Sequence, residues 1–192
     1  RDCPPERHTL YDLGRRFPDW MEANRPDAQA REAWVDFMID LARFEYLAFT
    51  MFDAQGNEGR PFATPDTADS ALRLQPAFAL GSYRFPVAGY YHAVRRGEAP
   101  SLPVPAPCHI ALVRSDYVTR TVALSEPQHC FLAAMLDGND VTAALANASA
   151  RYGLDPAALD GMWRGAQGSR RRWIEWGFFA AADCDPASRS RS

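Results

Sequence analysis

The chain of 192 residues contains no lysine, so all 21 of its basic side chains are arginine. Arginines scattered in this way point to a GC-rich coding genome rather than to a surface selected for bidentate phosphate contacts. There is no positive excess either: 24 acidic residues leave a net charge of −3, which argues against a general nucleic-acid binder. No apolar run approaches the ~20 residues that a membrane-spanning helix needs, and no succession of charged, apolar and small residues marks a signal peptide. Cysteine is sparse. The four present are widely and irregularly spaced, which fits reduced thiols in a cytosol better than a disulfide scaffold, so a cytoplasmic location is expected. Catalytic motifs are missing as well: there is no nucleophile elbow and no His-Glu-x-x-His. GAQGS at residues 165–169 lacks the lysine and the preceding strand of a phosphate cradle. No internal repeat is visible, and the length allows one substantial core or two small ones.

Aromatic and aliphatic residues are abundant. Residues 31–53, REAWVDFMIDLARFEYLAFTMFD, hold the longest helical periodicity and contain no Gly or Pro. Trp34, Phe37, Met38, Leu41, Phe44, Ala48, Met51 and Phe52 recur at spacings of three and four and are expected to face inward. Val35, Ile39, Ala42, Tyr46 and Phe49 form a second apolar stripe, leaving Glu32, Asp36, Asp40, Arg43 and Thr50 for water. This helix is expected to be central to a core. Before it, residues 12–23 read as a short helix with Leu13, Phe17, Trp20 and Met21 inward. After it, Gly56, Gly59, Pro61 and Pro65 predict an exposed loop.

The second half has a clearer grammar. Residues 72–83 read as a strand, and 86–96 as a short helix with proline in its first turn. Four prolines from Pro100 to Pro107 predict a stiff connector and a candidate boundary. Residues 108–114 and 117–124 are strand-like runs separated by Ser115 and Asp116, a spacing that suits a tight hairpin. Ser125 with Gln128 starts a helix over 126–137. Asp140 opens a second helix that Gly153 stops, and Asp155 with Pro156 opens a third through Leu159, Met162 and Trp163. An apolar piece, RRRWIEWGFFAAA, ends the fold.

Each chemical constellation has a bland counterpart. Cys108 beside His109 and His129 beside Cys130 offer zinc or copper ligands. Adjacent strand residues point to opposite faces, however, so buried thiols and partly exposed histidines are the commoner outcome and no metal is expected. Asp36 and Asp40, one helical turn apart, are expected on a solvated face with Arg43 near enough to pair. Arg170, Arg171 and Arg172 form a dense basic run near Trp163, Trp173 and Trp176. Residues 108–182 nonetheless balance seven Arg against seven acids, where a DNA reader needs its arginines concentrated on one face. Tyr117, Thr119, Thr121 and Ala123 alternate with Val118, Arg120, Val122 and Leu124. If this strand's edge is open, an extended peptide can add to it; if residues 72–83 cover it, the edge is structural.

LYDLGRRFPDWM at residues 10–21, with DLARFEYLAF at 40–49, resembles the middle of the HvfC/BufC family, often described as a DNA-binding domain. LRLQPAFALGSYRFPV at 72–87 is similar to the segment opening that family's smaller second domain. The hairpin and three helices of residues 108–182, with DGNDVTAAL between the first two helices, resemble winged-helix modules that recognise leader peptides. The fold expected is α+β: a helical N-terminal region at 1–71, an incomplete family domain; a winged-helix-like peptide-recognition domain at 72–182; and a disordered tail at 183–192. The chain begins at Arg1 without a methionine, and the family carries further helices ahead of this segment, so a fragment or a naturally short member is expected.

The resemblance implies a non-catalytic partner of multinuclear non-haem iron oxidative enzymes, which modify cysteines in ribosomally made precursor peptides. The iron and the reaction then belong to the partner enzyme, and no cofactor is expected in this chain. The residues expected to serve the peptide or the enzyme are Tyr117, Val118, Thr119, Arg120, Trp163, Arg170 and Arg171. A DNA-associated module is the alternative, and neither nucleic acid nor membrane is the expected partner.

Overall fold

The computed structural model describes residues 14–181, and the fold is α+β. The start of the first expected helix, at Asp12 and Leu13, and the tail at 183–192 lie outside the described residues. The chain divides into two compact units, each assembled from separated pieces. Unit 1 holds residues up to 54, with 79–112 and 119–125; unit 2 holds 55–78, 113–118 and the chain from 126. This grouping crosses the expected boundary at residue 71. It also places the proline-rich connector inside unit 1, where the Ala106 N–H donates to the Arg84 carbonyl at 2.9 Å.

Unit 1 is built on α1 (Phe17–Ala23), α2 (Ala33–Asp53), α3 (Val87–Arg95) and most of a three-stranded sheet. The sheet runs β2–β3–β4, with β2 at Phe78–Tyr83, β3 at Cys108–Ser115 and β4 at Val118–Leu124. Phe44 of α2 meets Tyr83 and Tyr91 edge-on, and Phe37 meets Phe85 and Tyr90. These contacts fix which side of α2 is buried: Val35, Phe37, Ile39, Phe44 and Met51. Trp34, Met38 and Phe52, expected inward, are exposed, as is Phe49 of the second apolar stripe, because α2 is apolar almost all round and its neighbours cover only part of the circumference. Phe17 and Trp20 of α1 are also more exposed than expected and stack on each other.

Asp40 reverses the other way. Expected on a solvated face, it is 2% exposed, because the Arg84 backbone N–H reaches its carboxylate at 2.6 Å and the Arg84 guanidinium at 2.9 Å. Arg43 also approaches Asp40, at 3.8 Å. A buried carboxylate is tolerable when its oxygens are bonded and its charge is paired.

Unit 2 contains β1 (Leu72–Leu74), paired antiparallel with β5 (Phe179–Ala181), and the helices α4 (Glu126–Leu136), α5 (Val141–Tyr152), α6 (Pro156–Arg164) and α7 (Ser169–Glu175). Phe131, Trp163, Trp173, Phe178 and Phe179 form its aromatic core, with Trp173 stacked on Phe178. The caps are as the sequence predicts: Asp140 accepts from the Ala143 N–H, Asp155 from the Ala158 N–H, and Gly153 is left-handed at φ 60°. The expected strand over 72–83 is broken into β1 and β2 at Gln75–Ala77. Pro76 brings no N–H, and the buried Gln75 amide donates to the Ala77 and Arg114 carbonyls and accepts from the Ala77 N–H. The loop after α2 is less exposed than expected, since Asn57 and Ala63 are buried and Phe62 bridges to Ala180.

Candidate functional site

The hairpin turn consists of Asp116 and Tyr117, one residue later than the expected Ser115 and Asp116, because β3 continues through Ser115; both turn residues are left-handed at φ 50° and 64°, as a two-residue turn matched to strand twist requires. Tyr117 tolerates this at a cost of ~1–2 kcal/mol, and its ring is 77% exposed. A turn of this kind makes Ser115 and Val118 the hydrogen-bonded pair, so the backbone groups of Thr119, Thr121 and Ala123 are directed away from β3. That direction is an open edge. Residues 78–83 pair with the opposite side of β3, and among the described residues no strand lies beyond β4. The alternative in which residues 72–83 cover the β4 edge is therefore not what the chain adopts.

Thr119 and Thr121 also line a groove of about 750 Å³ in unit 1, walled by Phe44, Ala48, Phe49 and Phe52 of α2 and by Tyr91, His92 and Arg95 of α3. The Thr121 hydroxyl lies 3.0 Å from His92 Nε2. Burial, and then the charges of Arg96 and Arg95, hold the His92 imidazole below its usual value, which keeps it neutral at pH 7. The Thr119 hydroxyl is buried with no hydrogen-bond partner, an arrangement costing ~1–3 kcal/mol while it stays unmet. Val118 and Arg120 alternate onto the other face of β4, and both are exposed.

The remaining expected site residues belong to unit 2. Trp163 is buried, and its indole N–H donates to Asp69 at 3.0 Å. Arg170 pairs with the same carboxylate at 2.7 Å and donates to the Pro65 and Thr67 carbonyls. Arg164 joins them at 2.6 Å. Burial raises the Asp69 carboxyl, but the bonds from Arg170, Trp163 and Arg164 outweigh it and hold the group below its usual range. These contacts tie the loop before β1 to α6 and α7. Arg171, by contrast, is exposed and pairs with Glu175 one turn along its own helix.

Cys108 and Cys130 fall in different units. The Cys108 thiol donates to the Phe85 carbonyl, and burial, then Asp40, pushes it up, so it stays protonated and unreactive. His109 Nδ1 lies 2.8 Å from the Ser82 hydroxyl. Among the described residues no three Cys, His, Asp or Glu side chains converge as metal ligands would, and no helix is long and apolar enough to cross a membrane.

Sequence reasoning found the β4 edge but missed its neighbours Phe49, Phe52, His92 and Arg95. The available signal was α2 itself, which carries more apolar side chains than one buried face can hold. No family model, no curated protein and no solved structure matches the chain.

Proposed function

We propose that this chain is a non-catalytic partner subunit: it binds an iron-dependent peptide-modifying oxidase and recognises that enzyme's ribosomally made, Cys-containing precursor. The open edge of β4 carries the reading. Its outward backbone groups offer an extended peptide the same hydrogen bonds that β3 makes on the other side, and alternate side chains supply selectivity. The acid-paired arginines of unit 2 favour this over duplex DNA, since Arg164 and Arg170 are committed to Asp69 and a phosphate contact would have to displace that carboxylate.

Tyr117 and Arg120, exposed at the turn and on the outer face of β4, are the side chains the peptide or enzyme meets first. The test is co-purification of the chain with the oxidase encoded beside it, with and without the neighbouring precursor, at two salt concentrations. Retention of the precursor, lost when this chain is omitted and weakened by Thr119→Ala with Arg120→Ala, is the expected result. Retention of neither protein, together with steeply salt-dependent binding to duplex DNA, overturns the proposal.

A further inference from the structure

The groove beside β4 is open, largely apolar and lined by the inner side chains of the edge strand itself. We infer that it is a side-chain subsite of the bound peptide, built to take large apolar residues at alternate positions next to an acidic one. The inference rests on the strand-addition reading of β4 and specifies what the added strand must carry.

A strand joining an antiparallel sheet lies ~4.8 Å from its neighbour, and its side chains alternate between faces in step with that neighbour. Residues opposite Thr119 and Thr121 therefore fall on the groove side, against α2 and α3. The apolar surface waiting there is Phe49 and Phe52, 51% and 65% exposed, although Phe44 and Leu112 in the same groove are buried. Each of the two is more than half exposed, so apolar area is left at the margin of the sheet that an added strand can cover. Large apolar side chains on the incoming strand cover them; small or polar ones leave them wet.

The lips of the groove carry charge. Arg95 on α3 lies against the Tyr91 ring, 5.9 Å from its centroid, and pairs with no carboxylate among the described residues. Glu45 on α2 lines the same groove and likewise makes no ion pair there. An acidic peptide residue is attracted on the α3 side and repelled on the α2 side, which gives the strand a preferred placement. The buried Thr119 hydroxyl adds one unsatisfied polar point to the β4 wall.

The probe is the synthetic precursor, fluorophore-labelled, in three forms: unaltered, N-methylated at alternate amides, and with each acidic residue changed to Arg. Each is titrated by anisotropy against the wild-type chain, a Phe49→Ser/Phe52→Ser variant and an Arg95→Glu variant, with circular dichroism checking that the variants fold. Both phenylalanines are exposed, so the double variant should keep its fold. The subsite predicts at least a ten-fold loss for the double variant, and a several-fold loss for Arg95→Glu that one of the acid-to-Arg peptides recovers. If both variants bind as the wild type does while N-methylation abolishes binding, the groove assignment falls and strand addition survives. If N-methylation has no effect, or the precursor does not bind, both fall together.

Discussion

Removing the Asp69 carboxylate isolates a polar tie that joins Trp163, Arg164 and Arg170 in unit 2. In Asp69→Ala the buried indole N–H of Trp163 loses its acceptor, a penalty of ~1–3 kcal/mol. Arg170, whose side chain is 18% exposed, keeps its two carbonyl partners but loses its counter-charge, which adds about 1 kcal/mol after allowance for solvent. Arg164, at 47%, contributes next to nothing. The sum is a loss of about 3 kcal/mol at pH 7. Because the chain has two units, a single global transition is the wrong readout. Hydrogen exchange measured by mass spectrometry through a urea series, segment by segment, resolves the effect. Amides of α6, α7 and the loop before β1 should lose protection, and those of α2 and α3 should not. The difference should also shrink in acid. The folded pKa of Asp69 is below its unfolded value of ~3.9, so the wild type holds this stability above that value and loses it as pH falls through the folded pKa. A loss under about 1 kcal/mol at pH 7, or one that persists unchanged at pH 2, would refute the role given to the Asp69 carboxylate.

Three further outcomes follow from single positions. Gly153→Ala at the α5 terminus, where a methyl group meets open space but φ is 60°, should cost about 1 kcal/mol, read from urea-dependent exchange in α5, with no change in the fold. Tyr117→Gly should stabilise the hairpin by ~0.5–1 kcal/mol, because glycine takes the left-handed turn without strain; under the proposed function the same variant should bind precursor more weakly, so affinity and stability move in opposite directions. For His92 the sign is set by its lowered pKa: the unfolded chain takes up the proton first as pH falls below ~6.5, so stability is present above that pH and is lost beneath it. Protection of α3 amides should fall between pH 7 and 5 in the wild type and stay flatter in His92→Gln.

Local grammar was the legible part of the sequence. The start of α5 at Asp140, that of α6 at Asp155 and Pro156 and the stop at Gly153 each depend on a few adjacent residues, and their geometry admits few alternatives. The hairpin between β3 and β4 was legible as well, but its turn falls one residue later than expected, at Asp116 and Tyr117. The partners of buried polar groups were not legible. Asp40 meets Arg84 and Trp163 meets Asp69 across long stretches of chain, and no periodicity encodes which distant arginine or carboxylate arrives. The grouping of β3 and β4 with α2 and α3 was hidden for the same reason: it follows from β2 pairing with β3, a long-range choice that proximity in sequence obscures. Gln75 decided where that pairing begins, by taking the Ala77 and Arg114 carbonyls with its buried amide.

The site was half legible, and the missing half has a common cause with the misread helix. Periodicity shows how apolar each side of a helix is, but burial also requires something to lie against it. On α2 the apolar stripes exceed what α3 and the sheet can cover, and Asp40 takes one of the covered positions because Arg84 neutralises it there. Every covered position given to a carboxylate leaves an apolar one for solvent. Phe49 and Phe52 are where the excess emerges, and they do so beside β4, an edge strand of the three-stranded sheet, which is why the proposed function takes the edge and the exposed aromatics as two faces of a single binding surface.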